Sequence, residues 1–244
     1  MSVSVSDPVH WPHVGIKFNT DGFVRRHPGN TIGCHERCDS RLGQALRVAR
    51  DGLARTEAAR GLAFLPPQTY HMTVFEGAAD HARVAALWPA DAPLDRCTQH
   101  LDQELAGFDM CCEMPLHMRV ADRRRQSSRG VLVLAPLDGD ENRKLRFLRD
   151  RLSGLFMIRA RIHERYEFQI TLAYPVEGMA PACHVAFLAT QACELAAVAR
   201  KVPVIEKGMS GFCTSGNMNA FCARPELLWR RVPRASTLTQ GVRA

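Results

Sequence analysis

The chain has 244 residues, of which 46% are hydrophobic and 23% charged, with 17 Gly and 14 Pro; this composition excludes a disordered or collagenous chain. Lysine plus arginine exceed aspartate plus glutamate by 32 to 25, a formal charge of +7, which fits a phosphorylated or anionic ligand but says nothing about fold. No run of about 18 or more apolar residues occurs, so no membrane-spanning helix is expected, and the opening MSVSVSDPVHWP lacks the charged and apolar regions of a signal peptide.

Val14, Ile16 and Phe18 alternate with Gly15, Lys17 and Asn19, which predicts a half-buried strand. After a turn-rich connection over 25–30, residues 31–34 read as a second short strand. Leu42, Ala45, Leu46, Ala49 and Leu53 recur at helical spacing and predict a helix over 40–60, with Asp39 or Ser40 as N-cap and Gly61 as its stop. Residues 69–75 follow the Pro66–Pro67 break as a strand that Gly77 ends. Helical patterns come next at 80–88 and 94–108. Leu116, Met118 and Val120 alternate again, and 131–134 is a continuous apolar run suited to a buried strand. The two can pair as a hairpin around an exposed loop bearing Arg123, Arg124, Arg125 and Arg129. Leu145, Leu148, Leu152 and Leu155 mark a helix starting near Asp140. A strand over 166–174 stops at Pro175, a helix covers 182–201, and 202–205 and 212–221 supply closing strands. Strands and helices mix without a strict β-α-β rhythm, so the expected class is α+β with a largely antiparallel sheet. Residues 229–244, with Arg230, Arg231, Arg234 and Arg243, read as a loose basic tail.

Nine cysteines cannot all pair within one chain, so reduced thiols and a cytoplasmic location are expected. The cluster Cys34, His35, Cys38 lacks the second matching pair that a structural zinc site needs. Neither a metal nor a cofactor is expected.

Two segments resemble each other. The first reads Tyr70-His71-Met72-Thr73-Val74-Phe75 and the second Phe168-Gln169-Ile170-Thr171-Leu172-Ala173. Strand alternation sends Tyr70, Met72 and Val74 to one face and His71 and Thr73 to the other. In the second copy Phe168, Ile170, Leu172 and Tyr174 take the core side, opposite Gln169 and Thr171. A threonine hydroxyl can donate to a phosphate oxygen, and an imidazole two residues away can move a proton at the reacting oxygen. Two such strands face to face would bracket a phosphodiester without a metal. A wetter sheet face gives the same alternation, but one copy shows it less distinctively than two.

The stretches TYHMTVFEG and EFQITLAYPV resemble the paired motifs of the two-histidine (2H) phosphoesterase superfamily, the LigT-like or RNA-ligase-like fold. VGIKFNTDG with GNTIGCH, and VPVIEKGMSGFCTSGNMNAF, extend the resemblance over about 14–228 and to a microbial branch of that superfamily. It implies a bilobal α+β fold, two sheet lobes related by a pseudo-twofold around a central cleft. The chain then divides into an N-terminal extension (1–13), one bilobal domain (14–228) and the basic tail. The implied activity is metal-independent cleavage of 2′,3′-cyclic or 2′-5′ phosphodiesters in nucleotides or RNA ends. By position His71 matches the first catalytic histidine, Thr73 and Thr171 match the phosphate-binding hydroxyls, and Gln169 stands where the second histidine belongs. Glutamine donates and accepts hydrogen bonds but is no acid or base near neutral pH.

Lys17, Asn19, His117 and Arg119 are further candidates for the cleft, although each is also explained as an ordinary sheet-face residue. Tyr174 falls on the core side, which makes packing its first role and base stacking the alternative. His163, at the entrance to the second motif strand, reads as a surface residue. Three functions are left standing: a 2H-type phosphodiesterase, placed first; a degenerate member that binds a nucleotide or RNA end without turnover because of Gln169; and a cysteine-rich zinc or redox protein whose repeat is accidental. Neither a nucleic-acid-binding module nor a glycine-rich triphosphate loop is legible, so a small or terminal phosphodiester is the expected partner, with no membrane.

Overall fold

Apolar residues at alternate positions around Met72 and Ile170 build the two strands at the centre of the molecule. The computed structural model describes residues 11–82, 84, 114–122, 130–208 and 211–223. Its strands are β1 (Gly29–His35), β2 (Leu62–Phe64), β3 (His71–Ala79), β4 (Leu116–Val120), β5 (Val131–Pro136), β6 (Phe168–Thr171), β7 (Ala173–Pro175), β8 (Ile205–Lys207), β9 (Gly211–Asn217) and β10 (Ala220–Ala223). Its α-helices are α1 (Arg41–Ala54), α2 (Gly139–Phe156) and α3 (Pro181–Lys201). One sheet of eight antiparallel strands runs in the order β10-β9-β1-β3-β6-β5-β4-β8, and β2 pairs with β7 apart from it. The class is therefore α+β with a largely antiparallel sheet. Four strands lie on each side of the β3–β6 junction, where Met72 pairs with Ile170, so the two halves join edge to edge. Met72, Val74, Leu132, Leu134, Phe168 and Ile170 are buried in one core with Leu145, Leu148 and Leu152 of α2.

Local chemistry sets the helix ends. The Ser40 hydroxyl accepts the Gly43 amide at 2.8 Å, a regular N-cap for α1. That helix ends at Ala54 rather than near 60, and Thr56 donates its hydroxyl to the Leu53 carbonyl at 2.7 Å, satisfying one of the carbonyls that a helix end leaves open. A 3₁₀ turn over Glu57–Gly61 fills the remainder. Asp138 caps α2 through the Glu141 amide at 2.9 Å. Helix α3 corrects the expectation from apolar runs: its 21 residues reach a mean hydropathy of 1.4 over 18, long and apolar enough to cross a membrane by that criterion. Here it buries Phe187, Leu195 and Val198 in the core and sets Glu194 against Gly52 of α1.

Several expected strands differ. Residues 14–19 curl instead of extending: the amides of Ile16, Lys17 and Phe18 all donate to the His13 carbonyl, with Gly15 at φ +82°, a conformation that glycine adopts without steric cost. Strand β3 runs through Gly77 instead of ending there. The Asn30 side chain lies against Gly77, where any Cβ would collide with it, and accepts the Ala78 amide at 2.9 Å. The strand expected over 166–174 breaks at Leu172 into β6 and β7, which belong to different sheets. Val202 bonds back to Val198 as the end of α3, so the strand expected over 202–205 begins at Ile205. Residues 212–221 form the β9–β10 hairpin, and β4–β5 is the hairpin expected. Of the pattern at 80–88, Asp80–Ala82 form a 3₁₀ turn. The helix expected at 94–108, the Arg123–Arg129 loop and the tail 229–244 lie outside the described residues.

Candidate active site

The Met72–Ile170 pairing fixes the site. In that antiparallel register His71 stands beside Thr171 and Thr73 beside Gln169, all four half-buried on the face opposite the core. His71 and Gln169 are then diagonal partners, a relation that separates Cβ atoms by about 7–8 Å, wide enough for a phosphoryl group between the side chains. All four line a cavity of about 410 Å³.

The local fold holds the His71 ring in one tautomer. Its Nδ1 lies 2.8 Å from the Thr69 carbonyl, which can only accept, so Nδ1 carries the proton and Nε2 of the neutral ring presents a lone pair. The ring packs over Gly33, whose absent Cβ would come within 3.2 Å of His71 Cδ2, and against Phe221, 4.6 Å between centroids. Burial lowers the His71 pKa to about 4; the Thr69 carbonyl works against that shift, and the positive groups His35, Lys17 and Lys207 add to it. The ring is therefore neutral at neutral pH, with Nε2 unprotonated. At the Gln169 corner, Tyr166 is hydrogen-bonded to Thr73, and burial pushes its phenol up. The Arg149 guanidinium stacks on the Tyr166 ring at 4.1 Å and donates to the Val74 carbonyl from the core side.

Lys17 and Tyr174 enter the same cavity by routes that alternation does not describe. The amides of Leu172 and Ala173 both donate to the Gly130 carbonyl, at 2.9 and 3.1 Å. Two residues thus face one across the strand pair, a bulge of the kind that re-aims the following side chain. Gly130 sits at φ +63°, where a side chain would be strained. Tyr174 consequently turns from the predicted core side toward the cavity while staying buried against Phe18. Lys17 donates to the Tyr174 hydroxyl at 3.3 Å, its ammonium 4.9 Å from the ring centroid. The curled segment bearing Pro12, His13, Ile16 and Lys17 lines the cavity above the sheet.

Three sequence candidates lie outside that lining. Asn19 accepts the Phe23 amide at 2.8 Å and closes its own turn. His117 and Arg119 are on β4, next to the outermost strand of the other half. His117 Nδ1 meets Glu141 at 3.0 Å; burial alone would raise that carboxyl, but the His117 amide and ring and the Lys144 ammonium hold it near 2. Arg119 pairs with Asp122 at 3.6 Å. His163 is also not at the surface: it is 4% exposed, with Nε2 3.0 Å from Asp150. It begins a 3₁₀ turn that carries the chain into the core before β6.

The cavity also gathers His13, His27, His81, Tyr166 and Glu76, none of which the sequence pattern singled out. His13 falls in the expected extension, His27 in a turn-rich connection and His81 in an expected helix, so periodicity carried no signal for them. Among the described residues, the side chains that come close enough for three metal ligands are Asp150, His163 and Glu164. Arg159 already pairs with both of those carboxylates, and none of the three lines the cavity. Cys34 and His35 diverge: burial pushes the Cys34 thiol up to about 12, while His35 Nε2 meets Cys213 Sγ at 2.8 Å on the other face.

Comparison with known proteins sets the chain beside a family model and a solved structure. A family model described as 2H-phosphodiest, a domain of unknown function (DUF1868), matches residues 17–129, a stretch that holds His71 and Thr73 and ends before Gln169. A conserved protein of unknown function, ATU0111 from Agrobacterium tumefaciens str. C58, has a crystal structure similar to this chain with a TM-score of 0.81 and 30% identity, covering 88% of this chain and 92% of its own. No functionally curated protein matches. With a matching family model and a shared fold over most of its length, the chain belongs to the 2H phosphodiesterase family, whose general activity is that of a phosphodiesterase.

Proposed function

We propose that the protein is a metal-independent phosphodiesterase acting on a 2′,3′-cyclic or 2′-5′ phosphodiester of a nucleotide or RNA end. The observation that carries this reading is the β3–β6 register, which sets His71, Thr73, Gln169 and Thr171 around one point in the cavity floor. The neutral His71 Nε2 takes a proton from the attacking water. Oxygen bonds to phosphorus, the bond to the ribose oxygen breaks, and that oxygen takes a proton from a second water, whose hydroxide is neutralised by the proton that His71 then releases. The Thr73 and Thr171 hydroxyls and the Gln169 amide donate to the phosphoryl oxygens, and the Lys17 ammonium offsets the charge that builds on them. Tyr174 and Phe221 present aromatic surface to a base.

The test is turnover of 2′,3′-cyclic and 2′-5′-linked nucleotides in the presence of a chelator. His71→Ala is expected to lower turnover by about 10²–10⁴-fold, the usual contribution of a positioned acid or base. An unchanged rate in that variant would remove His71 from the mechanism. Gln169 favours a second reading, a site that binds without turnover. If only Gln169→His hydrolyses the substrates while wild type binds them, that second reading holds.

A further inference from the structure

The cavity has a second pole, away from the His71 corner. In the β1–β3 pairing, Gly29 lies opposite Ala79 and His35 opposite His71, so His27 and His81 stand beyond the end of the strand pair distant from His71. Their rings are in contact, 4.5 Å between centroids. His27 is 9% exposed, His81 is at the rim, and both line the cavity. Neither ring is hydrogen-bonded to a protein group among the described residues. Nearby, the buried Asn30 amide nitrogen has no acceptor, so this end is rich in donors.

Burial, then Lys17, His81 and His13, lower His27 to about 4. Burial and Lys17 lower His81, and Asp80 opposes that shift. Lys17 also acts on His71, which places its charge between the two poles. Among the described residues, Glu76 is the one carboxylate in the cavity lining. Without a ligand, the cluster holds two imidazoles neutral beside an ammonium. An incoming dianion would reverse that balance by stabilising the protonated rings.

We propose that Lys17, His27 and His81 form a second anion subsite that takes a phosphomonoester carried by the ligand whose phosphodiester lies at His71. The subsite stands on its own geometry; only the placing of the ligand's other end rests on the function proposed above. The substrate class narrows to a nucleotide, or a nucleotide end, bearing two separate phosphoryl groups.

Calorimetry on the full chain would compare adenosine 2′-monophosphate with adenosine 2′,5′-bisphosphate. The expected result is a bisphosphate advantage of about tenfold or more, with proton uptake near pH 6, where the free rings are already neutral, that fades toward pH 8 as the bound rings in turn lose their protons. His27→Asn and His81→Asn, the latter at the rim where the fold tolerates it, should each erode the advantage, and the double variant should abolish it. Equal affinities in wild type, or an advantage that survives in the double variant, would overturn the proposal. A 5′-phosphorylated dinucleotide with a 2′-phosphate end, binding better than the bisphosphate, would support the subsite with a polymer end as the source.

If neither nucleotide binds, the imidazole resonances of His27 and His81 decide the matter on titration with inorganic phosphate. Raised pKa values at both rings would uphold the subsite while the nucleotide reading fails. Unmoved resonances would sink the subsite.

Discussion

His71 owes its character to two neighbours, the Thr69 carbonyl that fixes its tautomer and the burial that lowers its pKa to about 4. Burial lowers His27 to about the same value. An unfolded histidine titrates near 6.5, so between about pH 4 and 6.5 the unfolded chain binds more protons than the folded one. The sign follows: stability is full above about pH 6.5 and falls as the pH drops toward 4, by at most on the order of 3 kcal/mol for each ring. Urea denaturation at pH 7 and pH 5 checks this, and a midpoint that rises on acidification would contradict it. Catalysis carries the same signature. With His71 as base, kcat/KM should stay flat down to about pH 5 and fall only as the ring protonates near 4. An acid limb centred on 6.5 would mean that another group is the base.

At the level of elements, the bulge opposite Gly130 ends β6 and turns the chain into β7. It also brings Tyr174 to Lys17. A Cβ at Gly130 would meet Ala173 Cβ at 3.1 Å with the backbone at φ +63°. Gly130→Ala should therefore cost about 1–2 kcal/mol in denaturant unfolding. It should also raise KM for a nucleotide more than it lowers kcat, because Tyr174 and Lys17 shift while His71 stays. Unchanged stability and unchanged KM together would show that the bulge positions nothing. The half-buried polar face of β3 was legible from the period of two in Tyr70–Phe75, since alternation follows from the extended backbone alone. The bulge was not, because it arises where a second strand, 42 residues earlier in sequence at Gly130, offers one carbonyl to two amides.

Across the whole molecule, the two halves of the sheet meet at β3–β6 and are tied again by Lys207, the last residue of the outermost strand β8 in one half, to Glu36, just after β1 in the other. This ion pair is 2% and 10% exposed, and Glu36 also accepts the Ser40 hydroxyl that caps α1. Glu36→Gln should destabilise by about 3–5 kcal/mol, because it leaves the Lys207 charge buried without its partner, whereas Glu36→Leu with Lys207→Met should recover most of that loss. Two-state chemical denaturation of the three proteins gives the answer; a single variant as stable as wild type would show that the pair holds nothing together.

What the sequence by itself determined follows from short-range geometry. Alternation and helical spacing need only neighbours within a few residues, so the α+β class, an N-cap at Asp39 or Ser40, the leucine face of α2 and the polar faces of both motif strands were all readable; the fold selected Ser40. The paired motifs also carried the family resemblance. Only the tertiary structure decided that β3 and β6 lie side by side with Met72 opposite Ile170, which turns two motifs into one site. It likewise curled residues 14–19 over the cavity, brought His27 and His81 together and left Asn19, His117 and Arg119 outside. These outcomes depend on pairing between segments far apart in the chain, and the local pattern of each segment is compatible with many such pairings. Long-range register is set by the packing of the whole core, and it is there that the residues from His13 to Phe221 become neighbours.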